Sequence, residues 1–134
     1  LNNPEAACCA AKAGADLLGF IFVKKSKRYV SLKEAENIIA AVDDWISEQK
    51  LPSVKIEIPS KQPPEEIKDA SSWFKEQAGD IFSRIRATKG RVAPLKVGVF
   101  MNHSATEINS IAEKLNLDLI QLHGNEPHDL PQKL

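Results

Sequence analysis

Two Ser-x-x-Glu sequences, Ser31 to Glu34 and Ser104 to Glu107, each stand a few residues after an apolar run and open a stretch of helical periodicity. In this spacing the hydroxyl and the carboxylate satisfy each other's backbone amides, so each pair marks a helix start. The preceding runs, LLGFIFV at 17–23 and LKVGVFM at 95–101, are almost uniformly apolar. That is the pattern of a parallel strand covered on both faces, not of a strand with one wet face.

A third run, DLIQLH at 118–123, follows the second helix, which is expected to run through about Leu115. Ile38, Ile39, Val42, Trp45 and Ile46 recur at helical intervals and predict a helix over about 32–48. A further helix over 4–13 is expected from Asn3 as N-cap, Pro4 in the first helical position and Gly14 as terminator. Helix and strand therefore alternate, which implies βαβ units and a parallel sheet. The fold class read here is α/β, a partial (β/α)8 barrel with parallel strands near 17–23, 95–101 and 118–123. The chain has 134 residues, whereas a complete barrel of this kind needs about 200 or more. We expect one partial barrel domain over 1–134, with a peripheral insertion at about 49–94. The insertion holds Pro52, Pro59, Pro63 and Pro64 and an amphipathic stripe of Ile67, Ala70, Phe74, Ile81 and Ile85, read as packing on the exterior.

Composition excludes several classes of function. Eighteen basic residues balance 18 acidic ones, so no net charge draws the chain to nucleic acid. No apolar run approaches the roughly 20 residues that span a bilayer, and no signal peptide is visible, so the expected location is cytoplasmic and no membrane partner is expected. Cys8 and Cys9 are adjacent within an alanine run, which suits neither a disulfide nor a spaced zinc site; both are read as small packing residues of the first helix. His103, beside a helix cap, and His128, in a polar segment, are read as surface structure. No metal-ligand set, no GxGxxG or GxxxxGK phosphate loop and no Ser-His-acid constellation can be placed. These residues thus give little support to a metal site or to a nucleotide fold of those types.

In a barrel the active site forms where the carboxyl ends of the strands meet their following loops. Arg28 lies in the loop after the first visible strand, with Ser26 beside it and Lys24, Lys25 and Lys27 around it. Its planar donor fork suits a carboxylate or phosphate and so implies an anionic small molecule, with a merely solvated basic loop as the other reading of the same residues. Asn102 ends the second strand, and Gln121 and His123 end the third. Two residues apart on a strand, Gln121 and His123 share one face. Arg28, His123, Asn102 and Gln121 are the candidate substrate-binding residues.

The stretches AGADLLGFIF, SKRYVS, VGVFMN and DLIQLHGNE, in that order, resemble the first half of the phosphoribosylanthranilate isomerase family across about residues 2–43 and 95–126. The resemblance implies a single-domain barrel that converts N-(5-phosphoribosyl)anthranilate to 1-(2-carboxyphenylamino)-1-deoxyribulose 5-phosphate by an Amadori rearrangement in tryptophan biosynthesis, without a cofactor. It implies that Arg28 meets the anthranilate carboxylate and that His123 is the family's active-site histidine. Asn102 matches the position that ends the third barrel strand. In the family the base is a cysteine in a Lys-Ile-Cys-Gly strand and the acid an aspartate on a later strand. Both are expected outside these residues, and Cys8 and Cys9 are not equivalents of the base. No residue here is therefore expected to be catalytic, and the chain alone is expected to be inactive. Fusion to, or association with, other tryptophan-pathway enzymes is a further expectation. Two other readings stay open: a related phosphate-binding barrel such as indole-glycerol-phosphate synthase, and a noncatalytic half-barrel interaction module.

Overall fold

The computed structural model describes residues 1–53 and 92–134, with the single positions 79 and 83. The stripe from Ile67 to Ile85 and most of the expected insertion at 49–94 lie outside the described residues. At the near ends of that stretch, the Ala93 N–H donates to the Pro52 carbonyl at 3.0 Å.

Helix α1 spans Pro4–Lys12, with the Asn3 side chain accepting from Ala6 N–H. Gly14, just beyond it, has φ +89°, a conformation that disfavours any residue with a Cβ. Strand β1 spans Leu17–Ile21 and helix α2 Leu32–Gln49. Strand β2 spans Leu95–Phe100, helix α3 Ala105–Leu115 and strand β3 Leu119–Leu122. A 3-10 turn over Leu130–Lys133 follows. Both Ser-x-x-Glu pairs form reciprocal capping boxes. The strands are shorter than the apolar runs that announced them, but Phe22 N–H still donates to Val99 O at 3.0 Å and His123 N–H to Phe100 O at 2.9 Å. Pairing thus continues past the regular strand ends into the loops.

The three strands lie side by side in the order β1-β2-β3, all parallel. Their outward face is covered by helices. Leu18, Phe20 and Phe22 of the first strand region and Phe100 of β2 are buried with Ala35, Ile38, Val42 and Trp45 of α2 and Ile108 and Leu115 of α3. Ala7 and Ala11 are the buried residues of α1; their small side chains let that helix approach closely, and burying each large apolar partner contributes about 1.5–3 kcal/mol. Phe22 and Phe100 stack at 5.2 Å between ring centroids. Cys8 packs at this core, its thiol 3.6 Å from the Ala41 carbonyl, whereas Cys9 is exposed. The packing role expected of both cysteines holds for Cys8 alone: at about 100° per residue, Cys9 lies roughly opposite both Ala7 and Ala11, the buried residues of α1.

The other face presents Gly19, Ile21, Val97, Val99, Leu119 and Gln121, aligned by the register Gly19–Val97–Leu119 and Ile21–Val99–Gln121. These positions are half-buried or exposed. They correspond to the inward-pointing layers of a barrel, whose packing comes from strands all round the ring.

Candidate active site

A hollow of about 370 Å³ opens at the carboxyl ends of the strands, lined by Ile21, Val23, Ser26, Arg28, Val99, Met101, Gln121 and His123. The strand pattern explains its composition. Val23, Met101 and His123 continue the inward-pointing sets of β1, β2 and β3, so each strand sends its last inward residues to one place. Three of the four candidate residues, Arg28, Gln121 and His123, therefore meet around an apolar floor of Ile21, Val23, Val99 and Met101.

The Arg28 loop is held by its own hydrogen bonds. Ser26 N–H donates to Val23 O at 2.9 Å, Tyr29 N–H to Ser26 O at 3.1 Å and Arg28 N–H to Ser26 Oγ at 3.1 Å. Val30 N–H then donates to Ile21 O at 3.0 Å, returning the chain alongside β1 before α2 begins. Ser26 thus closes a turn from its hydroxyl and its carbonyl together. Arg28 itself is exposed, as are Lys24, Lys25 and Lys27, so the rim is cationic and open to an incoming anion.

Asn102 does not line the hollow. It occupies the left-handed region with φ 57°, which asparagine tolerates better than most residues. Its Oδ1 accepts from Asn125 N–H at 3.0 Å. Beside it, the Glu126 carboxylate accepts from Asn102 N–H through Oε1 and from Gly124 N–H through Oε2, both at 2.9 Å. These bonds hold the Glu126 carboxyl below the usual carboxylate range, the Asn102 N–H contributing most and the charge of nearby His123 least. Sequence reasoning did not single out Glu126. Its only signal was an acidic residue shortly after a strand-end glycine, which on its own points nowhere.

His103 accepts from Met101 N–H at its Nδ1 at 3.3 Å and meets Phe100 edge-on at 5.5 Å. It lines a second hollow of about 430 Å³ on the outer flank between Tyr29, Leu32 and the start of α3. That hollow is larger, but none of the four candidate residues reaches it. Among the described residues, no three His, Cys, Asp or Glu side chains are grouped to hold a metal ion, and no helix is long and apolar enough to cross a membrane.

A parallel sheet with helices on one face and a polar cluster at its strand ends defines a partial (β/α)8 barrel of the enzyme-bearing kind. The family model for N-(5'phosphoribosyl)anthranilate (PRA) isomerase matches residues 48–134, and the chain belongs to that family. It is 35% identical over 134 residues to the N-(5'-phosphoribosyl)anthranilate isomerase of Wickerhamomyces anomalus, covering 98% of this chain and 51% of that protein. A multifunctional tryptophan biosynthesis protein of Phycomyces blakesleeanus is 37% identical, over 100% of this chain and 15% of its own length. The crystal structure of the Thermotoga maritima enzyme superposes with a TM-score of 0.59 at 26% identity, covering 99% of this chain and 42% of that one. A phosphoribosyl anthranilate isomerase solved in complex with reduced 1-(o-carboxyphenylamino)-1-deoxyribulose 5-phosphate gives the same TM-score and identity, covering 99% of this chain and 44% of that one. The chain thus spans about half, or less, of the length of the relatives it matches.

Proposed function

We propose that residues 1–134 form the substrate-binding part of a phosphoribosylanthranilate isomerase barrel, in which Arg28 grips the anthranilate carboxylate and Gln121 and His123 contact the substrate beside it. The observation that carries this is the convergence of Arg28, Gln121 and His123 on one hollow at the strand ends. Its volume falls in the range of small-molecule sites, about 300–1,000 Å³. Ile21, Val23, Val99 and Met101 offer an apolar surface to an aromatic ring, and the guanidinium fork at the rim matches a ring carboxylate bidentately. Asn102 serves at the edge, through the loop it holds.

The rearrangement needs an acid to open the ribose ring and a base to remove the C2 proton, yielding an enolamine that becomes the ketone. Neither role falls to a residue described here; these residues bind and orient the substrate, which is itself a large part of catalysis. No nucleic acid or membrane enters this reading. The substrate is a small-molecule phosphosugar-anthranilate, the location is cytoplasmic, and the multifunctional relatives support covalent linkage to other tryptophan-pathway enzymes.

The test is a chimaeric barrel in which residues 1–134 replace the corresponding segment of the Wickerhamomyces anomalus isomerase. Turnover of freshly generated phosphoribosylanthranilate is expected, falling sharply in Arg28→Ala and His123→Ala, with none from residues 1–134 alone. A folded chimaera without turnover would sink the proposal.

A further inference from the structure

We propose that Glu126 is a positioning residue for this site, fastening the turn after β2 to the turn after β3 and so fixing where His123 stands. The inference rests on the function proposed above for its catalytic consequence, and on hydrogen-bond geometry alone for the fastening. Asn102 and Glu126 are 24 residues apart, yet the Glu126 carboxylate spans both turns, taking Asn102 N–H on one oxygen and Gly124 N–H on the other, each at 2.9 Å. A return bond closes the link, Asn125 N–H donating to Asn102 Oδ1 at 3.0 Å.

His123 sits inside this arrangement. Its own N–H is held by the Phe100 carbonyl at 2.9 Å, and the next N–H along the chain, that of Gly124, is held by Glu126. The backbone of His123 is therefore anchored on one side by the sheet and on the other by the carboxylate. The close approach needs glycine at 124, because a Cβ there would stand 2.5 Å from Asn102 Oδ1 and 2.9 Å from Glu126 Oε1. Asn102, held in the left-handed region, turns its N–H toward Glu126. Only a carboxylate fits the role fully. It offers an acceptor to each amide, whereas a glutamine in the same place has one acceptor oxygen and an NH2 that faces a donor.

Two measurements test this independently. Amide hydrogen exchange on residues 1–134 and on the chimaeric barrel should show Asn102 and Gly124 protected. Glu126→Ala should expose both amides, and Glu126→Gln one of them. In the chimaera, Glu126→Ala should lower kcat/KM on the order of ten- to a hundredfold, with Glu126→Gln between it and the parent. The double variant with His123→Ala should be no worse than His123→Ala alone, since a residue that acts through His123 has nothing left to position. Unprotected amides, or additive losses in the double variant, would overturn the inference. If the unaltered chimaera does not turn over, the proposed function falls, and the exchange pattern still decides whether Glu126 joins the two turns.

Discussion

The Ser26 hydroxyl accepts the Arg28 N–H at 3.1 Å, so the residue proposed above to grip the substrate carboxylate has its backbone held from two positions upstream. The loop contributes a fixed backbone, and the exposed guanidinium supplies the reach. Ser26→Ala removes this bond but leaves the Tyr29 N–H to Ser26 carbonyl bond in place. An exposed bond of this kind contributes at the low end of about 0.5–1.5 kcal/mol. We predict a rise in KM of roughly twofold to fivefold with kcat near the parent value, measured in the chimaeric barrel, since a factor of ten corresponds to about 1.4 kcal/mol.

Arg28→Lys is predicted to do more harm than its retained charge suggests. Lysine is a point donor and cannot match both oxygens of a carboxylate at once. The expected result is a KM raised about tenfold, with Arg28→Ala higher still. Equal KM values for the lysine variant and the parent would show that charge alone, without the fork, carries the binding.

Much of the fold was legible because its signals are local. The Ser31–Glu34 and Ser104–Glu107 boxes form as the spacing predicts, and the apolar runs pair in parallel. The meeting of Arg28, Gln121 and His123 was legible for a related reason, since strand ends in a parallel sheet converge by geometry. Asn102 shares the strand-end position but not the lining of the hollow, because its positive φ and its bond to Asn125 turn it toward the next loop. The bridge to Glu126 was not legible at all. It joins residues 24 positions apart, and no periodicity marks a contact made by loops. Cys9, expected to pack, faces solvent for the converse reason: an alanine-rich run does not reveal its buried side.

Gly98 tests the packing of β2 against its neighbours. A Cβ at this buried position would lie 2.6 Å from Leu117 Cδ1 and 2.7 Å from the Phe100 ring. Neither partner can simply swing into solvent, as Phe100 is fully buried and Leu117 packs against the core. Gly98→Ala is predicted to destabilise by about 1–3 kcal/mol, as overpacking does. Urea denaturation should show a lower midpoint at an unchanged slope.

Lys50 offers the opposite prediction. It closes α2 in the left-handed region with φ 51°, a conformation in which a Cβ crowds the following carbonyl. Lys50→Gly removes that crowding and supplies the usual terminating residue. The greater freedom of glycine in the unfolded chain offsets part of the gain. A net stabilisation of up to about 1 kcal/mol is expected, read as a higher thermal midpoint. A lower midpoint would mean that the lysine side chain contributes more at this cap than the strain removes.

The two capping boxes give the chain an acid sensitivity with a defined sign. The Ser31 hydroxyl and then its N–H hold the Glu34 carboxyl below the ordinary range; at Glu107 the Ser104 N–H comes first and its hydroxyl second. A carboxylate whose folded pKa is depressed stabilises the fold above its unfolded pKa, and that contribution disappears as pH falls through the folded value. Stability should therefore decline from neutral pH toward about pH 3, below the ordinary glutamate pKa of about 4.3. In the double variant Glu34→Gln with Glu107→Gln, an amide oxygen can still accept the serine N–H, so the caps persist while their titration is gone. Urea midpoints measured across this interval should then fall less steeply than in the parent. If the two proteins show the same slope, the acid sensitivity arises elsewhere, and the depressed carboxyl beside Asn102 and Gly124 becomes the next group to neutralise, through Glu126→Gln.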